Sequence, residues 1–222
     1  AKANPSSKIG RAYASYLHTA RVEALGLRPI RSWLEKIRAL TDPEGYSALV
    51  AQADEMRIGG PLVYWVWQDD KQPTQARLMI DQGGVGLFDR NMYLADTPAY
   101  AAIRTAYVTH LAKLLTLAGE ANADARAQAV MALETEIAKV HWPREDAEDM
   151  IKTYHKFSMA ETAEFSTPTL NLTAILKKHG PRLTHVQIRE QSAVKGIAAI
   201  VDKAPLEVLK DQMILRSLDG LA

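Results

Sequence analysis

Between residues 61 and 81 the hydrophobic pattern changes its period, and this constrains the fold more than any other feature. The run PLVYWVWQ, Pro61 to Gln68, is dense in aromatic and β-branched residues and is the strongest strand signal in the chain. A polar turn, DDKQPTQ, follows, then a second apolar run, ARLMI. The two runs predict a β-hairpin at about 61–81, with Pro73 in the turn, since inside a strand it would remove a ladder donor.

Elsewhere the apolar residues recur at helical spacing. SSKIGRAYASYLHTARVEALG opens on a capping serine and closes at Gly26. RPIRSWLEKIRAL places Ile30, Leu34 and Ile37 on one face, with Pro29 near the first turn. A third helix ends at Gly59-Gly60. From Pro98 to Ala118 the stripe is Ile103, Tyr107, Leu111, Leu114 and Ala118, stopped by Gly119. Asn122 to Val140 turns Val130, Leu133, Ile137 and Val140 inward. Pro143 is expected to start a helix running to about Tyr154, Ser158 and Glu161 form a capping box, and TPTLNLTAILKKHG is expected to be helical from Thr167-Pro168. Two helices broken around Pro205 close the chain. The expected class is mainly α, a multi-helix bundle with one small β-hairpin.

The 222 residues are 47% hydrophobic and 24% charged, which is globular composition with length for a sizeable core. Net charge is +1 and the basic residues are interleaved with acids, so no nucleic-acid surface is indicated. No cysteine is present, which excludes thiol catalysis and cysteine-ligated metal. No apolar run approaches the roughly 18 residues of a membrane span. The opening AKANPSSKIG lacks the regions of a signal peptide.

The stretch IDQGGVGLFDRNMYL, Ile80 to Leu94, carries Gly83, Gly84 and Gly86 and raises the question of a phosphate cradle. A P-loop ends in Gly-Lys-Ser/Thr, whereas this run ends in Leu87 and Phe88. A dinucleotide fingerprint needs a βαβ unit, and no parallel strand is expected downstream. A tight connection leaving the hairpin is the better reading. None of the six histidines begins H-E-x-x-H, the spacing that puts two imidazoles and a glutamate on one helix face. His179 and His185 flank Gly180-Pro181 and are read as solvated loop residues. No G-x-S-x-G elbow occurs. The pairs Asp69-Asp70 and Glu145-Asp146 fit solvated turns or first helical turns. Hence no catalytic, cofactor-binding or metal residue is assigned in this chain.

Glu134, in ALETEIAK, lies in the apolar sector bounded by Val130, Leu133, Ile137 and Ala138, with His141 on the same side. A carboxylate buried there without a partner would cost several kcal/mol. It is either buried and satisfied by an arginine, with Arg90 a candidate, or by backbone N–H groups, or else it stands at an edge open to water.

Four segments, in order, resemble the neprilysin and endothelin-converting-enzyme family of zinc metallopeptidases, in its N-terminal, non-catalytic region. KIGRAYASYLHTARVEALGLRPIRSWLEKI is similar to the family's Tyr-x-Ser-Cys helix followed by Gly-x-x-Pro-Leu, with Tyr16 in place of the cysteine. WQDDKQPTQARLMIDQGGVGLFDRNMYL is similar to D-x-K-N and Q-x-G-L-G-L-P-x-R-D-Y-Y. Asp69, Lys71, Gln82, Gly84, Gly86, Leu87, Arg90 and Tyr93 match, and Gln72, Phe88, Asn91 and Met92 depart. ALETEIAKVHW resembles L-E-x-x-L-A-x-x-H-W, and AEDMIKTYHKFSMAE resembles R-D-x-x-x-x-Y-N, with Glu148 and His155 as departures.

The resemblance implies an extracytoplasmic zinc endopeptidase of two helical lobes around an enclosed cavity. Residues 1–222 would form one helical lobe, the one that closes the cavity and restricts substrates to peptides. Zinc and H-E-x-x-H are expected in a catalytic lobe that this chain lacks, and that lobe and peptide substrates are the implied partners. Arg90, Tyr93, Glu134 and Tyr154 are expected as structural anchors, with Arg90 and Tyr93 holding the glycine connection against the helices. A stand-alone helical peptide-binding module and an unrelated hydrolase with unpaired carboxylates are the rival readings.

Overall fold

The computed structural model describes residues 7–180 and 182–221. The opening residues 1–6 and Pro181 of the Gly180-Pro181 turn lie outside the described residues.

The first helical stretch is two helices, α1 (Lys8–Tyr16) and α2 (Thr19–Leu25). The chain restarts at His18, whose imidazole accepts from the Arg21 N–H and caps α2. A short 3-10 turn at Arg28–Ile30 carries Pro29 into α3 (Arg31–Arg38), and Ile30, Leu34 and Ile37 are all buried as the spacing requires. α4 (Tyr46–Glu55) follows.

The hairpin is β1 (Leu62–Gln68) and β2 (Ala76–Gln82), paired antiparallel from Leu62↔Gln82 to Gln68↔Ala76. After it come α5 (Arg90–Leu94), α6 (Pro98–Leu117) and α7 (Ala123–Val140). Gly119, with φ +83°, and Asn122, with φ 55°, turn the chain between the last two.

Two expectations fail in the next segment, and a third is met in another form. The helix from Pro143 is one turn, α8 (Arg144–Ala147), because the Asp149 carboxylate accepts from the Ile151 and Lys152 N–H groups and draws the backbone into turns. The capping box at Ser158 and Glu161 forms, but it heads a 3-10 turn at Glu161–Phe165. α9 (Leu172–His179) starts later than Thr167-Pro168, where Asn171 caps it by accepting from Ala174 N–H.

The hairpin is half of a four-stranded sheet. β3 (Lys156–Ser158) and β4 (His185–Ile188) complete the order β1-β2-β4-β3, and β4 runs parallel to β2 at Leu78↔Val186 through Ile80↔Ile188. A parallel strand downstream of the glycines therefore exists, contrary to expectation. α10 (Gln191–Lys203) and α11 (Leu206–Leu221) close the chain.

α7 is the hub. It packs against α5, α6, α10 and α11, while α11 also meets α3 and α6, α4 meets α9, and α10 crosses β2. This places the connection from β2 to α5 directly over the polar side of α7.

Candidate functional site

Glu134 is fully buried on α7, and the glycine stretch wraps around it. Its Oε1 accepts from Gln212 Nε2 at 3.2 Å and forms an ion pair with the Arg216 guanidinium, both on α11. Its Oε2 accepts from Tyr93 Oη at 2.7 Å, Tyr107 Oη at 2.9 Å and the Gly86 N–H at 3.2 Å. Tyr93 Oη in turn accepts from the N–H groups of Gly86 at 2.9 Å and Leu87 at 2.8 Å. A buried carboxylate is tolerable where charge and hydrogen bonds satisfy it on all sides, as here.

The rest of the loop is tied down residue by residue. Gln212 Nε2 donates to the Gly84 carbonyl at 2.9 Å, and Gly84 N–H donates to the Gly60 carbonyl. His141 Nε2 lies 2.8 Å from the Gly83 carbonyl, so that nitrogen carries the proton. Gly84 has φ +81°, and a Cβ on Gly86 would run into Tyr107 Oη and the Arg216 guanidinium. Of the three glycines, Gly86 donates to the Glu134 carboxylate, an anion that belongs to the protein's own α7, while Gly83 and Gly84 bond to His141, Gln212 and Gly60.

Electrostatics keep the phenols and the guanidinium around Glu134 in their donor forms. Burial, then the Glu134 charge, pushes the Tyr93 and Tyr107 phenols well above their ordinary range, so both remain donors. Burial would depress Arg216, but the neighbouring Glu134 charge outweighs it and raises the guanidinium. Burial and then Arg90 push His141 down, against the Gly83 hydrogen bond, and so favour the neutral ring.

Arg90 is not the partner of Glu134. Its Nε donates to the Ala138 carbonyl at 3.3 Å, at the C-terminal turn of α7, where intrahelical partners run out. Sequence reasoning named Glu134 and Tyr93 but missed Arg216, Gln212 and Tyr107. The available signal was the four-residue spacing of Gln212 and Arg216, which puts both on one face of a helix.

Tyr154 joins a second cluster. Its Oη donates to Asp69 Oδ1 at 3.0 Å, and Arg77 pairs with Oδ2 at 2.8 Å. The N–H groups of Lys71 and Gln72 also donate to Oδ1. Asp69 is thus no solvated turn acid, since its side chain is 1% exposed. Burial alone would raise its pKa, but hydrogen bonds from Arg77, Lys71 N–H, Tyr154 and Gln72 N–H together bring it down to about 2.

A cleft of about 390 Å³ opens between α7, the end of β2 and the start of α10, lined by Asp81, Arg90, His141, Arg189 and Glu190. Glu190 is 2% exposed and accepts from the Gln82 N–H at 3.0 Å. Burial, opposed by that hydrogen bond and reinforced by Asp81, pushes its carboxyl up to about 7.

His179 and His185 make separate contacts. His179 is 3.3 Å from Asp54 and stacks on Tyr64 at 4.9 Å, so it is not a solvated loop residue; His185 is exposed and meets Thr184. Zinc is the metal the family resemblance implies. Among the described residues no three His, Asp or Glu side chains gather to hold a metal ion, so the residues present do not fit it.

The model of peptidase family M13 matches residues 1–222. An endothelin-converting enzyme homolog of Locusta migratoria is 27% identical over 183 residues, which is 78% of this chain and 25% of that protein. Endothelin-converting enzyme 1 of Mus musculus is 26% identical over 72% of this chain and 22% of its own length. The chain thus spans about a quarter of these relatives. Among solved structures, the Mycobacterium tuberculosis zinc metalloprotease Zmp1 in complex with inhibitor superposes with a TM-score of 0.86 at 24% identity, over 97% of this chain and 33% of that one. PepO from Lactobacillus rhamnosis superposes at 0.75, with 16% identity, over 88% of this chain and 32% of that one. With the family model spanning its full length, the chain belongs to peptidase family M13, in the N-terminal region of these zinc metallopeptidases.

Proposed function

We propose that residues 1–222 act as one helical lobe that closes the cavity of a zinc metalloendopeptidase, limits its substrates to peptides, and leaves bond cleavage to a separate zinc-bearing lobe. The observation that carries this reading is the use made of the motif residues. Glu134, Tyr93, Arg90, Asp69 and Tyr154 all spend their polar atoms on the protein's own backbone and side chains. Groups locked in this way rigidify a scaffold, and their contribution is steric. Membership of family M13 supports peptides as the substrate class and an extracytoplasmic setting.

The test compares this chain with the full-length gene product, each with added zinc, on a short peptide and on a folded protein. The full-length product is expected to cleave the peptide and spare the folded protein, and this chain alone is expected to cleave neither. Zinc-dependent cleavage by this chain alone, or a full-length product without H-E-x-x-H, overturns the proposal.

A further inference from the structure

We infer that the outer edge of β1, with the cleft at its N-terminal end, binds an extended peptide as an added antiparallel strand whose C-terminal carboxylate meets Arg57. The inference deepens the lobe reading above by locating where this chain would grip a peptide.

β1 is one of the two edge strands, and β2 is its only extensive neighbour among the described residues. An unpaired edge exposes a row of backbone donors and acceptors, and proteins usually protect it with charges, proline, a bulge or a covering element. β1 itself, Leu62 to Gln68, carries no charge or proline, and its seven pairs with β2 run without a bulge. Val63, Val66 and Trp67 are 46%, 65% and 55% exposed. Backbone groups that lack partners are matched by another extended backbone, with side-chain contacts alternating along it.

The cleft fixes the direction. It has a volume of about 760 Å³ and is lined by Val63 and Tyr64 of β1 together with Arg57, Asp54, Arg216 and Asp219. Arg216 pairs with Glu134 and lies 3.9 Å from Asp219, while Asp54 and Asp219 lie 3.3 Å from His179 and 3.5 Å from His110, contacts that become ion pairs only when those imidazoles are protonated. Among the described residues the Arg57 guanidinium forms no ion pair, and its φ of 60° holds it in a left-handed backbone conformation that ordinary residues rarely adopt. A strand antiparallel to β1 would bring its C-terminus to the Leu62 end, beside this guanidinium.

The test titrates the 222-residue chain with an N-acetylated heptapeptide of alternating threonine and valine, as free acid and as amide, and reads amide hydrogen exchange and affinity. Slowed exchange confined to Leu62–Gln68 is expected. Affinity should fall by about tenfold for the amide, and by about tenfold for the acid on Arg57→Ala, since a charge-assisted hydrogen bond is lost. A peptide N-methylated on alternate amides should not bind. No binding of the free acid, exchange slowed elsewhere, equal affinity for acid and amide, or a dimer that protects β1 without peptide overturns the inference. A chain that binds no peptide, but belongs to a full-length product that cleaves the short peptide and spares folded protein, would sink this inference alone. Peptide binding with a full-length product lacking H-E-x-x-H would sink the lobe reading alone.

Discussion

Glu134 on α7 and Arg216 on α11, 82 residues apart in sequence, form a buried ion pair that closes over the glycine connection between β2 and α5. The pair has several supporting donors, so removing one partner strands a charge that water cannot reach. Arg216→Met should therefore destabilise the fold by about 3–5 kcal/mol, measured by urea denaturation. Adding Glu134→Gln should recover part of that loss, because the stranded charge is gone. Additive losses in the double variant would show that the two residues act independently.

Gly86→Ala tests the close approach. The new Cβ would collide with Tyr107 Oη and the Arg216 guanidinium, and both are already committed to Glu134. Neither can move aside without breaking the cluster. A loss of about 1–3 kcal/mol is expected, the usual cost of overpacking. An unchanged thermal midpoint would mean that the loop can shift.

Asp69 gives a pH dependence at the acid end. Its folded carboxyl titrates at about 2 against an ordinary value of 3.8, so the folded state favours the charged form. The stabilisation is fully present above the ordinary value and is lost as pH falls through about 2. Asp69→Asn should lower stability at neutral pH, and the gap to the parent should narrow between about pH 4 and pH 2. A gap that stays constant over that range would remove Asp69 as its source.

Some of this architecture was legible because it is periodic. The buried stripe Ile30, Leu34 and Ile37 repeats at helical spacing, and the β1 run is long enough to show its composition. β3 and β4 were not legible: strands of three and four residues carry too little pattern, and a long-range parallel pairing with β2 gives them their identity. Glu134 was visible as a polar residue in an apolar sector. Its partner was not, because an ion pair across 82 residues leaves no local trace, and the nearer Arg90 competed for the role. Asp69 misled because an acid beside Asp70 in a polar turn is normally solvated, while Arg77 and Tyr154 reach it only after folding.

Glu190 gives the opposite slope near neutrality. It stands, buried, at the N-terminal end of α10 and titrates at about 7 when folded, against an ordinary 4.5. The folded state thus favours the proton. Its stabilising contribution is fully present below the ordinary value and is lost as pH rises through about 7. Asp81 on β2 opposes the charged form, while Arg189, just past β4, and the Gln82 N–H favour it; His141 and Arg90 line the same cleft. Glu190→Gln keeps an acceptor for the Gln82 N–H and removes the titration. It should match the parent near pH 5 and exceed it in chemical denaturation near pH 8. A difference that does not change with pH would show that burial does not raise this carboxyl.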